Sequence, residues 1–160
     1  MKASLRDRFQ AMWTGLATIG ASFSSSSGQP GGYYRFAWTA ADLEMRRWFR
    51  EEAEAIGLEV EQDRNGNLWA WWGPTRDIRP DSGGALVTGS HLDSVPGGGA
   101  FDGPLGIVSA LLAIGEVKQR SVTPRRPVAV VDFADEEGAR FGVACVGSRL
   151  LTGTLDPERA

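Results

Sequence analysis

Hydrophobic positions recur at helical spacing through the first twenty residues, at Leu5, Phe9, Met12, Trp13, Leu16 and Ile19. Ser4 followed by Asp7 marks the start of that helix and Gly20 its end. The Ser/Gly/Pro-rich stretch from Ser24 to Gly32 reads as a flexible connector. A second amphipathic helix is predicted from Thr39 and Asp42 through Leu43, Trp48, Phe49, Ala53 and Ile56, with Gly57 as its stop, and its Arg and Glu residues read as the solvated face. The period then drops to two. Leu58, Val60 and Gln62 alternate with charged residues, Asn65-Gly66 signals a tight turn, and Asn67 to Trp72 resumes as an aromatic strand, which makes a hairpin. Trp69, Trp71 and Trp72 offer stacking surfaces for a ligand or a base, but aromatics on a strand more often pack the sheet.

After a polar loop from Gly73 to Gly84, the order is strand (85 to 90), helix (about 104 to 120), strand (Val128 to Ala134) and a short helix near 146 to 152. Both strands are short apolar runs and read as buried. Their alternation with helices predicts an α/β sandwich with a mixed, partly parallel sheet, in which ligands sit beyond the carboxyl ends of the strands.

Composition narrows the field. At 160 residues, with 42% hydrophobic and 23% charged residues and a formal charge of -3, the chain reads as one ordinary globular domain with no basic cluster for nucleic acid. The longest apolar stretch, Leu105 to Val117, is interrupted by Gly106, Ser109 and Gly115 and is too short to span a membrane. No signal peptide is evident, and a lone cysteine, Cys145, fits the reducing cytoplasm and small-residue packing rather than a disulfide or a catalytic thiol.

The chemistry gathers at the predicted strand ends. The sole histidine, His91, sits in Gly89-Ser90-His91-Leu92-Asp93; Phe101-Asp102-Gly103 and Asp135-Glu136-Glu137 follow. Imidazole and carboxylates are ligand types for a zinc-like divalent cation, and His91, Asp102 and Glu137 are the candidates. Asp93, two residues beyond His91, is placed to accept the other ring N–H. Adjacent glutamates point apart, which leaves Glu136 free to handle protons. Pro96 and the glycines 97 to 99 strip side chains from the intervening loop, either for close approach of a substrate or as a plain surface loop.

Taken in order, Gly89-Ser90-His91-Leu92-Asp93-Ser94-Val95-Pro96, Phe101-Asp102-Gly103, Asp135-Glu136-Glu137-Gly138, Arg140-Phe141-Gly142 and Gly147-Ser148-Arg149 closely resemble the allantoate amidohydrolase and N-carbamoyl-L-amino-acid hydrolase family, within the aminoacylase and carboxypeptidase-like metallohydrolases. The likeness runs from about Gly32 to Gly153. It implies a three-layer sandwich and two divalent metal ions, zinc or manganese with cobalt also possible. By the resemblance His91 binds one metal, Asp102 bridges both, Glu137 binds the other, Glu136 is the general base and Asp93 supports His91. It implies a cis peptide after Asp102, a small ureido or carbamoyl substrate carrying a carboxylate, and a homodimer for full-length members. Family members are longer and supply two more histidine ligands downstream, so residues 1–160 are expected to be the N-terminal part of the catalytic domain, with weak metal binding and little activity alone. A peptidase or aminoacylase of the same superfamily, and a non-catalytic module that keeps the fold, remain the alternatives.

Overall fold

The computed structural model describes residues 3–23, 30–73 and 84–159. Helix α1, Leu5–Leu16, opens on the predicted signal: Ser4 Oγ accepts the Asp7 N–H while the Asp7 carboxylate accepts from the Ser4 backbone, a reciprocal capping box. The helix ends one turn earlier than its apolar stripe, and residues 17–20 form a turn into β1, Ala21–Phe23. Strand β2, Pro30–Tyr33, pairs antiparallel with β1. The last three residues of the predicted connector are therefore ladder, not loop; residues 24–29 lie outside the described residues.

Helix α2, Ala40–Ala55, begins at Thr39, but the cap is divided. Thr39 Oγ1 donates back to the Phe36 carbonyl, and the Asp42 carboxylate accepts the Trp38 N–H at 2.9 Å. The hairpin follows as β3, Glu59–Gln62, and β4, Leu68–Trp72. Asp63 closes its turn by accepting the Asn65 and Asn67 backbone N–H groups and the Asn67 and Trp69 side chains. Beyond β4 the expected polar loop falls mostly outside the described residues. The chain then forms β5 (Leu86–Ser90), α3 (Pro104–Gln119), β6 (Val128–Asp132) and α4 (Val146–Leu151), as predicted.

The main sheet runs β3-β4-β6-β5, antiparallel except for the parallel β5 and β6 pair, so the fold is α/β with a mixed sheet. Leu68, Ala70, Val128 and Val130 project to one face and meet α1, α2 and α3 through Leu16, Met45, Phe49, Ile107, Val108 and Leu111. Each of these large side chains contributes roughly 1.5–3 kcal/mol by leaving water. Trp69 and Trp71 project to the other face, stacked at 5.6 Å over Ala129 and Val131. Both are 8% exposed, which agrees with sheet packing rather than a stacking platform.

Two expectations need correction. Strand β5 is not buried: it is the edge of the sheet, hydrogen-bonded only to β6 among the described residues, and Leu86 and Val87 are 53% and 44% exposed. An apolar run signals a preference for burial, and edge position decides whether burial is met. Nor is all of the charge on α2 solvated. Arg46 is 5% exposed, with its guanidinium donating to the Gly66 carbonyl and to Gln62 and lying 3.4 Å from Asp132. Asp132 follows Val128 and Val130 on the same sheet face, directly under α2, and a cation there offsets its desolvation. Burial nonetheless pushes Asp132 up to about 8, with Arg46 opposing.

Asp42 is likewise raised to about 6, chiefly by burial, against the Trp38 hydrogen bond and Arg46. Because its folded value lies above the ordinary 3.8, this group stabilises the fold most at acid pH and loses that contribution as pH rises through 6. Asp42→Asn still accepts the Trp38 N–H but does not titrate. Urea unfolding at pH 4 and pH 7 is expected to show wild type losing about 2 kcal/mol relative to the variant.

Candidate metal centre

Parallel pairing of β5 with β6 brings their carboxyl ends out side by side, Ser90 opposite Asp132, and Phe133 N–H extends the ladder by one bond to the Ser90 carbonyl. His91 leaves one strand and residues 135–137 leave the other, so groups more than forty positions apart converge by topology alone.

Asp93 ties the two segments together. It is 3% exposed, and its two carboxylate oxygens accept the backbone N–H groups of Glu136 at 3.2 Å and Glu137 at 3.0 Å. The same Oδ1 lies 3.4 Å from His91 Nδ1, and the Asp93 carbonyl lies 3.1 Å from that nitrogen. A carbonyl oxygen only accepts, so Nδ1 carries the hydrogen and Nε2 faces the acids, 3.8 Å from Asp102 and 3.7 Å from Glu136. Burial works against the charged ring, but the Asp93 hydrogen bond and the charges of Asp93 and Glu136 outweigh it and raise His91 to about 9.

The loop is fixed from beneath. Ser94 Oγ accepts the Arg35 N–H at 2.9 Å and donates to the Tyr33 carbonyl, while Tyr33 and Gly98 exchange both backbone hydrogen bonds. Arg35, 1% exposed, is pinned by the Leu16 and Ile19 carbonyls at the end of α1. Part of the glycine-rich loop is thus used internally, against β2. At its far end Gly103 takes a φ of 83°, and a Cβ there would lie 2.5 Å from the His91 carbonyl and 2.7 Å from the imidazole. Gly106 presses on Ser90 in the same way, its Cβ falling 2.7 Å from that side chain. The cis peptide expected after Asp102 is absent: no described peptide bond is cis, and the glycine torsions make the reversal with a trans bond.

His91, Asp102 and Glu137 each offer one ligand atom, and these atoms lie within 4.8 Å of one another. Donors sharing one zinc-like ion at about 2.0–2.2 Å stand within roughly 4.4 Å of each other, so small side-chain rotations let Asp102 share a cation with either His91 or Glu137. Electrostatics favours the same occupant. Burial pushes Glu137 up; His91 opposes, and Asp102, Glu136 and Asp93 add to the rise, a crowd of negative charge that a cation relieves. Glu136 stays out of the triad and is partly exposed. One neighbour that sequence reasoning assigned only to packing is Cys145, which stands at the start of α4 with φ 59° and donates its thiol to Glu136 Oε1 at 3.4 Å. Eight intervening residues and a left-handed turn separate the pair, so no local spacing announces it.

The sequence pattern of peptidase family M28 matches residues 75–159, more than half of the chain. The chain belongs to peptidase family M28. The chain is also similar to an N-carbamoyl-L-amino acid amidohydrolase of Geobacillus stearothermophilus, 38% identical over 93% of this chain and 35% of the relative. An allantoate amidohydrolase of Escherichia coli K12 is 36% identical over 80% of this chain and 30% of its own length. Among solved structures, an amidase of the hydantoinase/carbamoylase family from Burkholderia vietnamiensis superposes with a TM-score of 0.82 at 34% identity, covering 98% of this chain and 35% of that one. The M28 chain thus spans about a third of the length of the relatives it matches, and the resemblance drawn from its motifs holds. No helix among the described residues is long and apolar enough to cross a membrane.

With one imidazole in the chain, His91 gives a single assignable ring signal. Its NMR titration is expected to have a midpoint near 9, and Asp93→Asn is expected to lower that midpoint, since burial then acts with less opposition. An unchanged midpoint would show that Asp93 does not govern the ring.

Proposed function

We propose that these residues form the N-terminal part of the catalytic domain of a metal-dependent amidohydrolase that cleaves a non-peptide C–N bond, in allantoate or an N-carbamoyl-L-amino acid. The observation that carries the reading is the convergence of His91, Asp102 and Glu137 at one pair of strand ends, with Glu136 beside them and not among them. The names of the Geobacillus and Escherichia relatives, an N-carbamoyl-L-amino acid amidohydrolase and an allantoate amidohydrolase, support the substrate class.

In this reading His91, Asp102 and Glu137 would hold the divalent cations, with the His91 imidazole and the Glu137 carboxylate serving different ions and Asp102 common to both. Asp93 keeps the hydrogen on Nδ1, so that Nε2 is the free donor, and by gripping the amides of 136 and 137 it fixes where both glutamates start. Divalent cations, when bound, lower the pKa of a coordinated water toward neutrality and polarise the carbonyl under attack. Glu136 then accepts the proton of the attacking water and returns it to the departing nitrogen. Its contact with the Cys145 thiol limits the rotamers open to the carboxylate between those two transfers. Two further histidines, implied by the family likeness, are not in this sequence, whose one histidine is His91. Weak cation binding and little turnover by residues 1–160 alone follow.

Calorimetric titration with zinc or manganese is expected to show weak binding that His91→Ala abolishes. Mixed with the separately expressed remainder of the Geobacillus relative, the chain is expected to release ammonia from allantoate or to decarbamoylate an N-carbamoyl-L-amino acid in preference to cleaving a dipeptide. Glu136→Gln should lower that rate by about 100-fold or more while leaving cation affinity in place. Tight binding of two ions with full turnover by the isolated chain would overturn the division of ligands, and peptide cleavage alone would overturn the substrate class.

A further inference from the structure

Asp102 is the least supported member of the triad. Its side chain is 68% exposed, and among the described residues its carboxylate accepts no hydrogen bond; His91 Nε2 lies 3.8 Å away. Its neighbours in the chain give little grip, since from Gly97 to Gly103 only Phe101 and Asp102 carry side chains larger than alanine. On the far side Gly103 braces the segment against His91. On the near side the Phe101 ring stacks on Trp13 of α1 with centroids 5.0 Å apart and planes 22° from parallel.

Trp13 is itself held. Phe9, one turn earlier, also stacks on it, at 5.5 Å and 7°, so the three rings form one connected series. Farther back, the Arg8 guanidinium bonds Glu116 at 2.9 Å and reaches the Leu112 carbonyl of α3. Helix α1 therefore lies antiparallel to α3, and its aromatic series reaches past the start of α3 to the residue that precedes Asp102. Phe101 is 62% exposed, so burial alone does not fix its ring; the flat face of Trp13 does.

We propose that Trp13 is a positioning residue for the cation site: through Phe101 it holds the Asp102 carboxylate at the spacing the triad needs, which makes α1 part of the site it never touches. The inference rests on the reading of Asp102 as a ligand. An aromatic pair of this kind corresponds to a change in affinity of about two- to tenfold when its stacking is lost.

The test compares Trp13→Leu, which keeps apolar bulk without a flat face, with Trp13→Phe, which keeps the face. Zinc affinity by calorimetry and the backbone amide signals and 15N relaxation of Asp102 and Gly103 are measured in each. The expected result is a two- to tenfold weaker affinity and altered, more mobile Asp102 and Gly103 amides in Trp13→Leu, with Trp13→Phe restoring both. Phe101→Ala should match Trp13→Leu, and the double variant should be no weaker than either single one. Unchanged affinity in Trp13→Leu, or reduced affinity without any change at the two amides, overturns the proposal, as does equal loss in Trp13→Phe. If wild type binds no zinc, the metal reading fails; the amides, measured without metal, then decide whether Trp13 positions Asp102.

Discussion

The candidate centre depends on one buried carboxylate. Asp93 commits both oxygens to the amides of Glu136 and Glu137 and still reaches the His91 ring, so one side chain joins the strand end that supplies the imidazole to the strand end that supplies the acids. Charge-assisted bonds from backbone N–H groups are the strong kind, and here they replace the water that a carboxylate with 3% exposure has given up. The ring's orientation and the starting points of the two glutamates are therefore not independent. They share an anchor.

Beneath this anchor the sheet supplies direction and the helices supply rigidity. Parallel β5 and β6 deliver both segments to one end, while α2 places Arg46 over Asp132 at that same end, immediately below the site. An acid and a cation are thus buried where a purely apolar core was simpler to build. Such pairs add little net stability, but removing one partner strands the other in a dry interior, which keeps the arrangement single. Arg35 acts in a similar way in the neighbouring layer, binding the end of α1 to the loop that carries His91.

Much of this was legible in the sequence, for reasons that are local. The Ser4–Asp7 capping box, the Asn65-Gly66 turn and the aromatic strand that follows it act over a few residues, and each formed as predicted. The candidate residues stood out because chemistry-bearing side chains cluster after apolar runs, and the rule about strand carboxyl ends puts them at one end of the sheet. What failed or went unseen is non-local. Leu86 and Val87 have the composition of an interior strand, and nothing in their spacing says that β5 has a neighbour on one side only. Arg46 looked like any arginine on a helix until β6 set Asp132 opposite it. The Phe9, Trp13 and Phe101 series spans about ninety residues of sequence, and the Cys145 contact with Glu136 depends on a left-handed turn that no single residue type demands.

The first turn of α3 leans on the end of β5 at two points, Gly103 against His91 and Gly106 against Ser90, in each case closer than a methyl group permits. Two positions with no functional group at all thereby set the gap between helix and imidazole. Tolerance to replacement in this region does not follow chemical interest: the partly exposed Glu136 can be exchanged for its amide with the backbone undisturbed, whereas one added carbon at either glycine must move the helix, the strand or both.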